Sequence, residues 1–157
     1  MPTPREQLVA ARIQSGLSPN DMAAAIGLNA PAYCDLEAIE SEIFMLISLA
    51  ELRKICAMLR ITPRDVFSDC GSTKLPTKPH NFAALADELR EHLHHQRLSL
   101  DEFEEAAGWE VGTFLENPRA ADTWSIDCLR DVCRELAVDW LGVLSDIQQQ
   151  SAVSHQC

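Results

Sequence analysis

Residues 17–28 read LSPNDMAAAIGL, and residues 98–109 read LSLDEFEEAAGW. A second pair of stretches follows in the same order, SLAELRKICAMLRI at 48–61 and SIDCLRDVCRELAV at 125–138. The matched stretches lie roughly 80 residues apart, which is too long for a solenoid repeat and suits a small domain near the lower size limit for its own core. The chain therefore contains two tandem repeats, and differences between them carry information about function.

Helix signals fall at matched positions in the two repeats. Ser48 and Ser99 each have a glutamate three residues later, which is the spacing of a capping box. Gly27 and Gly108 suit the left-handed turn that ends a helix. Apolar residues recur with helical spacing, and no segment alternates as a half-buried strand does. The predicted helices cover roughly 5–15, 18–26, 30–38, 48–59 and 63–67 in the first repeat and 82–96, 99–107, 110–116, 125–136 and 139–147 in the second.

Turn residues divide the chain into parts. The stretch CGSTKLPTKP at 70–79 contains glycine and proline and has no apolar periodicity. We therefore expect a first domain over 1–69, a linker over 70–80 and a second domain over 81–147. The polar segment 148–157 is predicted to be a disordered tail.

The acidic residues are distributed unevenly along a chain whose formal net charge is −11. Residues 1–74 hold seven basic and nine acidic side chains, whereas residues 75–157 hold six basic and fifteen acidic ones. DNA binding depends on lysine and arginine neutralising phosphates, so the second half is a poor candidate for DNA contact.

Other function classes find little support in the sequence. No apolar run approaches the ~20 residues of a membrane span, and the six cysteines form no CxxC pattern, so we expect a reduced, cytoplasmic protein without membrane contact. No phosphate loop, nucleophile elbow or metal-binding helix motif occurs, so we expect no enzyme activity, no cofactor and no metal. The histidines at 92, 94 and 95 have no cysteine or carboxylate at a zinc-like offset and suit a solvated helix end.

The first repeat also carries a specific series of short motifs. They are Gly16-Leu17-Ser18, Met22-Ala23, Ile26-Gly27-Leu28, Leu36-Glu37, Ser48-Leu49 and Val66-Phe67. In this order and spacing, over about residues 5–67, they resemble the Cro/phage-repressor helix-turn-helix family. The second repeat keeps a weaker version around Leu98-Ser99, Phe103 and Gly108. The resemblance implies an all-α fold of two tandem lambda repressor-like five-helix domains, the second degenerate.

The resemblance also implies a transcriptional regulator that binds DNA through its first repeat. In this family the second helix begins against phosphate, and the third helix lies in the major groove. Carried over by position, the phosphate candidates are Arg12, Gln14, Ser18 and Asn20. The base-edge candidates are Asn29, Ala30, Ala32 and Tyr33.

Several residues at this surface depart from the family pattern. Pro19, which has no donor, stands where the family commonly has glutamine, and no lysine or arginine occurs between Arg12 and Arg53. The turn after the third helix carries Glu40 and Glu42, where a Gly/Lys/Arg-rich turn is usual. These departures favour an alternative function: an acidic helix-turn-helix scaffold that has lost DNA binding and acts as a protein-binding adaptor, antitoxin-like partner or immunity-like factor.

We expect a protein partner or a homodimer, and either would need an apolar surface. Residues 43–47 read IFMLI, and five consecutive apolar residues cannot all face one side of a short helix. Either they cover the core, or some of them form a partner surface. In the second case the candidates are Phe44 and Met45 with the acidic turn at Glu40 and Glu42.

All three tryptophans lie in the second repeat. Trp109 takes the place of Leu28, so we expect it to pack in the core. Trp124 precedes the predicted N-cap Ser125, where it forms either a hydrophobic staple or an exposed anchor for a partner.

Overall fold

The computed structural model describes residues 1–67 and 81–144, and every regular element in those ranges is a helix. The predicted all-α fold class is therefore confirmed. The predicted linker at 70–80 and the predicted tail at 148–157 lie outside the described residues. Within the described ranges, no helix combines the length and the apolar character needed to cross a membrane.

The helices follow the same order in both repeats. Those of the first are α1 (Pro4–Gln14), α2 (Pro19–Ile26), α3 (Ala30–Ala38), α4 (Glu42–Met45), α5 (Leu49–Leu59) and α6 (Pro63–Phe67). Those of the second are α7 (Phe82–Gln96), α8 (Leu100–Ala107), α9 (Gly112–Glu116), a 3₁₀ helix (Pro118–Thr123) and α10 (Ile126–Leu136), followed by helical residues 140–144. The predicted first residues of the helices differ from the observed ones by at most two positions. The sequence missed α4 and the 3₁₀ helix, since such short elements show no apolar period.

Serine side chains begin the helices as the sequence predicts. In α5 and α8 the Ser48 and Ser99 hydroxyls each accept the amide N–H three residues later, and the glutamates Glu51 and Glu102 accept the serine amides at 2.7 Å. The two predicted capping boxes are confirmed, and two more are formed by Thr3 with Glu6 and by Ser18 with Asp21. These bonds satisfy amides that a helix start otherwise leaves without partners.

Two glycines end helices in the left-handed conformation. Gly27 has a φ of 77° and Gly108 a φ of 80°, angles that glycine adopts without strain. Each glycine turns the chain from one helix into the next, α2 into α3 and α8 towards α9, as predicted.

The apolar faces of α5 and α10 lie at the centre of the core. Their predicted stripes are buried, at Leu49, Leu52, Cys56 and Leu59 in α5 and at Ile126, Leu129, Cys133 and Leu136 in α10. Both stripes belong to one continuous cluster of buried side chains that includes residues of both repeats. Burial of this apolar surface is the main stabilising contribution to the packing of the repeats.

The two repeats meet at matched positions. Ser48 and Ser125, the N-caps of α5 and α10, form an antiparallel bridge, and the Leu49 amide donates to the Trp124 carbonyl at 2.8 Å. An antiparallel bridge between equivalent residues has a local twofold relationship. The starts of α5 and α10 are therefore related by a local pseudo-twofold axis at this bridge.

Reciprocal arginine contacts extend this pairing. Arg53 on α5 donates to the Asp122 carboxylate of the second repeat at 2.6 Å. The matched Arg130 on α10 lies over the Phe44 ring of the first repeat, 4.8 Å from its centroid. Each arginine thus reaches the segment that precedes the capping serine of the other repeat. Phe67 continues the contact against Trp140, with ring centroids 5.5 Å apart.

Candidate functional site

Two residues carried over as DNA contacts serve as helix caps. The Ser18 hydroxyl donates to the Asp21 carboxylate at 2.7 Å, and the Ser18 amide donates to it as well. These two hydrogen bonds lower the pKa of Asp21. The Asn29 side-chain oxygen accepts the Ala32 amide at 2.8 Å and caps α3. Ala30 and Ala32 are half-buried and carry no polar side-chain atom. The start of α3 therefore presents few free hydrogen-bonding groups.

Tyr33 corrects the sequence-based expectation. Its side chain is 0% exposed, and the structure encloses its hydroxyl oxygen, so the ring belongs to the core and cannot reach a base edge. Burial and the neighbouring Glu37 carboxylate raise the pKa of Tyr33 above its usual value. Leu36, three residues later, lies on the same face of α3 as Tyr33 and is also buried.

Arg12 is the only cation among the expected phosphate contacts, and it is paired with Glu37. Its Nε and Nη2 donate to the two carboxylate oxygens, the latter at 2.8 Å, and Nη1 donates to the Leu17 carbonyl at 2.8 Å. The arginine and glutamate side chains are only 11% and 13% exposed. The hydrogen bonds with Glu37 raise the pKa of Arg12. These bonds use three of the five N–H groups of Arg12, and Glu37 neutralises its charge.

The remaining polar candidates, Gln14 and Asn20, are exposed but carry no charge. Cations that are exposed and make no ion pair within the described ranges are Lys54, Arg60, Arg97 and Arg119. They belong to α5, to the C-caps of α5 and α7, and to the 3₁₀ helix, rather than to α2 or α3. The surface that the family resemblance predicts to face DNA thus lacks a free cation in the described part of the chain.

In the second repeat, a carboxylate binds the start of α9, the helix that corresponds to α3 of the first repeat. Glu104 accepts the amides of Val111 at 2.7 Å and Gly112 at 3.0 Å, where α9 begins. Amides at a helix start are the groups that bind phosphate in many proteins. Here the chain's own carboxylate takes that place, and the helix has only five residues.

A groove opens where α4 of the first repeat approaches the second. Its volume is about 340 Å³, and its walls include Met45, Trp109, Trp124, Glu110, Asp127 and Cys128. Met45 is 65% exposed and Trp109 36%. The Cys128 thiol is buried, which raises its pKa to about 12. The groove therefore combines apolar and aromatic walls with two carboxylates and a protonated thiol.

The expectation that Trp109 packs in the core was also wrong. Trp109 is instead among the exposed large apolar residues, and its indole Nε1 donates to the Asp131 carboxylate at 2.9 Å. An indole N–H needs a hydrogen-bond partner, and this residue finds one at the surface of α10. Leu28, with no polar atom, packs against the core at the matched position.

The expected partner residues separate into two groups. Met45 and Trp124 lie together in the groove, where Trp124 also packs on Phe114 with ring centroids 4.6 Å apart. Phe44 does not join them, because its ring lies between Phe67 and Arg130 in the contact between the repeats. In the same 43–47 run, Ile43 and Ile47 are buried in the core, whereas Met45 is exposed.

The acidic turn lies apart from the groove walls. Glu40 is half-buried and pairs with Arg5 at 3.6 Å. Glu42 is half-buried at the start of α4 and makes no ion pair within the described residues. The turn therefore offers one carboxylate that is not already neutralised.

The sequence alone did not predict that Trp109, Glu110 and Asp127 line one groove. A signal was present in the comparison of the repeats, where the matched residues are Leu28, Asn29 and Ala50. At all three positions, an apolar or neutral residue of the first repeat is matched by an aromatic or acidic residue in the second. Only the packing of the two repeats shows that these changes fall around the same groove.

The described ranges contain no group of three or more histidine, cysteine, aspartate and glutamate side chains that could hold a metal ion. His92 instead lies near the Phe103 ring, with ring centroids 6.0 Å apart. Burial raises the pKa of Cys56 to about 12, as it does for Cys128, so these thiols are protonated at neutral pH.

Comparison of the chain with protein-family models, with curated proteins and with solved structures finds no match.

Proposed function

We propose that this protein is an acidic, helix-turn-helix-shaped adaptor that binds a protein partner rather than DNA. The observation that carries the proposal is the fork between Arg12 and Glu37. It neutralises the only cation among the residues that the family resemblance assigns to phosphate. Without free cations, a helix-turn-helix surface lacks the main contribution to DNA affinity.

The second repeat supports the same function. The Glu104 carboxylate occupies the start of α9, so a phosphate there would face a negative charge instead of free amides. The half of the chain that contains it is strongly acidic. An acidic surface attracts basic proteins and repels nucleic acids at long range.

The partner that fits this charge is a basic protein, as expected for an adaptor, an antitoxin-like factor or an immunity-like factor. Such a complex would form in the cytoplasm, where thiols such as the buried Cys56 and Cys133 stay reduced. The groove at Trp109 and Trp124 offers the aromatic anchors that protein interfaces prefer.

The deciding experiment measures both classes of partner with the full chain. Fluorescence anisotropy against random DNA fragments, from about 50 to about 200 mM salt, should show no saturable binding. The immobilised chain should retain a basic protein from an extract of its own cells, and high salt should release it. Saturable DNA binding that weakens steeply with salt contradicts the proposal.

A DNA-binding transcriptional regulator is the second candidate. The helix order α2, Gly27, α3 favours it, together with exposed Gln14 and Asn20 at the expected phosphate surface. In that case the first repeat alone would contact DNA. Replacing Asn20 with aspartate should then abolish binding in the anisotropy experiment, whereas an adaptor should show no DNA signal to lose.

A further inference from the structure

We propose that the groove between the repeats receives an arginine side chain of the partner protein. This inference rests on the proposed function, because it names the chemical group that the adaptor would recognise. The guanidinium would stack on the indole rings and pair with the carboxylates of Glu110 and Asp127.

The walls of the groove come from three separate parts of the fold. Met45 belongs to α4 of the first repeat, Trp109 and Glu110 follow the end of α8, and Trp124 and Asp127 flank the start of α10. The site therefore exists only where the repeats are packed together. Its volume, about 340 Å³, is near the lower end of the range of ligand pockets, which suits one long side chain better than a folded element.

The charge of the groove selects a cation. Glu110 is exposed and makes no ion pair within the described residues, and Asp127 has only one distant pair, at 3.5 Å to Arg130. Trp109 and Trp124 supply the aromatic faces on which cations stack. Arginine combines a planar cation, which stacks on indole, with a fork of donors that matches carboxylates.

The chain already uses this chemistry on the neighbouring face of α10. The Arg130 guanidinium lies 4.8 Å from the Phe44 ring centroid and 5.6 Å from that of Trp140, and it donates to Asp127. Aromatic rings with an adjacent aspartate thus hold a guanidinium inside this protein. The groove places two tryptophans and Glu110 beside the same Asp127, and its lining residues include no arginine.

The first repeat shows which residues are special to the groove. At the positions of Trp109 and Glu110 it has Leu28 and Asn29, and at the position of Asp127 it has Ala50. The aromatic and acidic groups therefore belong to one repeat only. Substitutions that restore the residues of the first repeat use side chains that the same helical framework already accommodates.

The test uses the isotope-labelled full chain and two acetylated peptides, one with an arginine between two leucines and one with glutamine in its place. The three indole N–H signals are assigned with single tryptophan-to-phenylalanine variants and followed by NMR. The arginine peptide should shift the Trp109 and Trp124 signals saturably and leave Trp140, which is buried in the contact between the repeats, unchanged. The glutamine peptide should bind about tenfold more weakly.

Glu110→Asn should weaken binding of the arginine peptide about tenfold, whereas the control Glu105→Asn, at an exposed position of α8, should not. Equal binding of the two peptides, unchanged Trp109 and Trp124 signals, or equal effects of the two variants would each overturn the proposal. If the Glu110→Asn chain still retains the partner protein at full strength, the groove proposal fails and the adaptor function stands. Saturable DNA binding instead removes the adaptor function itself.

Discussion

Ser48 and Ser125 face each other across an antiparallel bridge, and each is the N-cap of the central helix of its repeat. Equivalent residues thus lie next to each other on the pseudo-twofold axis. The contacts on either side are reciprocal in position but differ in chemistry, with an ion pair at Arg53 and a cation–π contact at Arg130. We therefore expect each repeat to depend on the other for stability.

Mutual dependence predicts that the repeats unfold together. Leu52→Ala removes a buried side chain from α5 in the first repeat and should lower the free energy of unfolding by about 3 kcal/mol. All three tryptophans lie in the second repeat and Trp140 packs on Phe67 of the first, so their fluorescence reports on the second repeat and its contact with the first, while circular dichroism reports on all helices. Both urea midpoints should fall by the same amount. A fluorescence midpoint that stays in place would mean independent repeats.

The fork between Arg12 and Glu37 predicts a strong pairwise dependence. Arg12→Met leaves an almost buried carboxylate without its partner and should lower the free energy of unfolding by about 3 kcal/mol. The double variant Arg12→Met/Glu37→Leu should recover most of this loss, because it removes both charges. The measurement is urea unfolding of the two variants and of Glu37→Leu. Additive effects of the single changes would contradict the fork.

Tyr33 distinguishes a core residue from a base contact. Tyr33→Ala should lower the free energy of unfolding by about 3 kcal/mol, because it creates a cavity beside Leu36. Tyr33→Phe keeps the ring and should stay within about 1 kcal/mol of the natural chain. Thermal unfolding of both variants checks this prediction. An alanine variant of full stability would place the ring outside the core.

The Glu104 cap predicts a local effect on α9. Glu104→Ala removes the acceptor of the Val111 and Gly112 amides and should lower the free energy of unfolding by about 1 kcal/mol. Hydrogen exchange should become faster at these two amides in particular. Glu105→Ala, one residue along α8 and exposed, serves as the control and should leave both exchange rates unchanged.

Acid should weaken the protein partly through the capping box of α8. Hydrogen bonds from Ser99 lower the pKa of Glu102 below its ordinary value of 4.5. The stabilisation is therefore complete above about pH 4.5 and is lost as the pH falls through the lower pKa of the folded state. Glu102→Gln should be less stable at neutral pH and lose less stability on acidification. Urea midpoints measured at several pH values for both chains test this, and parallel curves would contradict it.

Most of the helical framework could be predicted from the sequence, because caps and apolar spacing are local signals. Ser48 and Gly27 fixed helix ends that the structure confirms to within two residues. The expected exposure of Tyr33 was wrong, since it came from the family resemblance and not from the apolar period of α3. The groove could not be predicted either, because Met45 and Trp109 become neighbours only when the two repeats pack. Local patterns do not encode that contact.

The pseudo-twofold pairing also has a consequence for stoichiometry. A symmetric homodimer must present every surface twice, so a mutation that creates a binding site creates two. Fusion of the two halves into one polypeptide removes that constraint and lets one copy diverge while the other maintains the scaffold. Trp109 and Glu110 have no counterpart in the first repeat, so the residues of the proposed groove belong to one repeat only. One chain should therefore bind one partner.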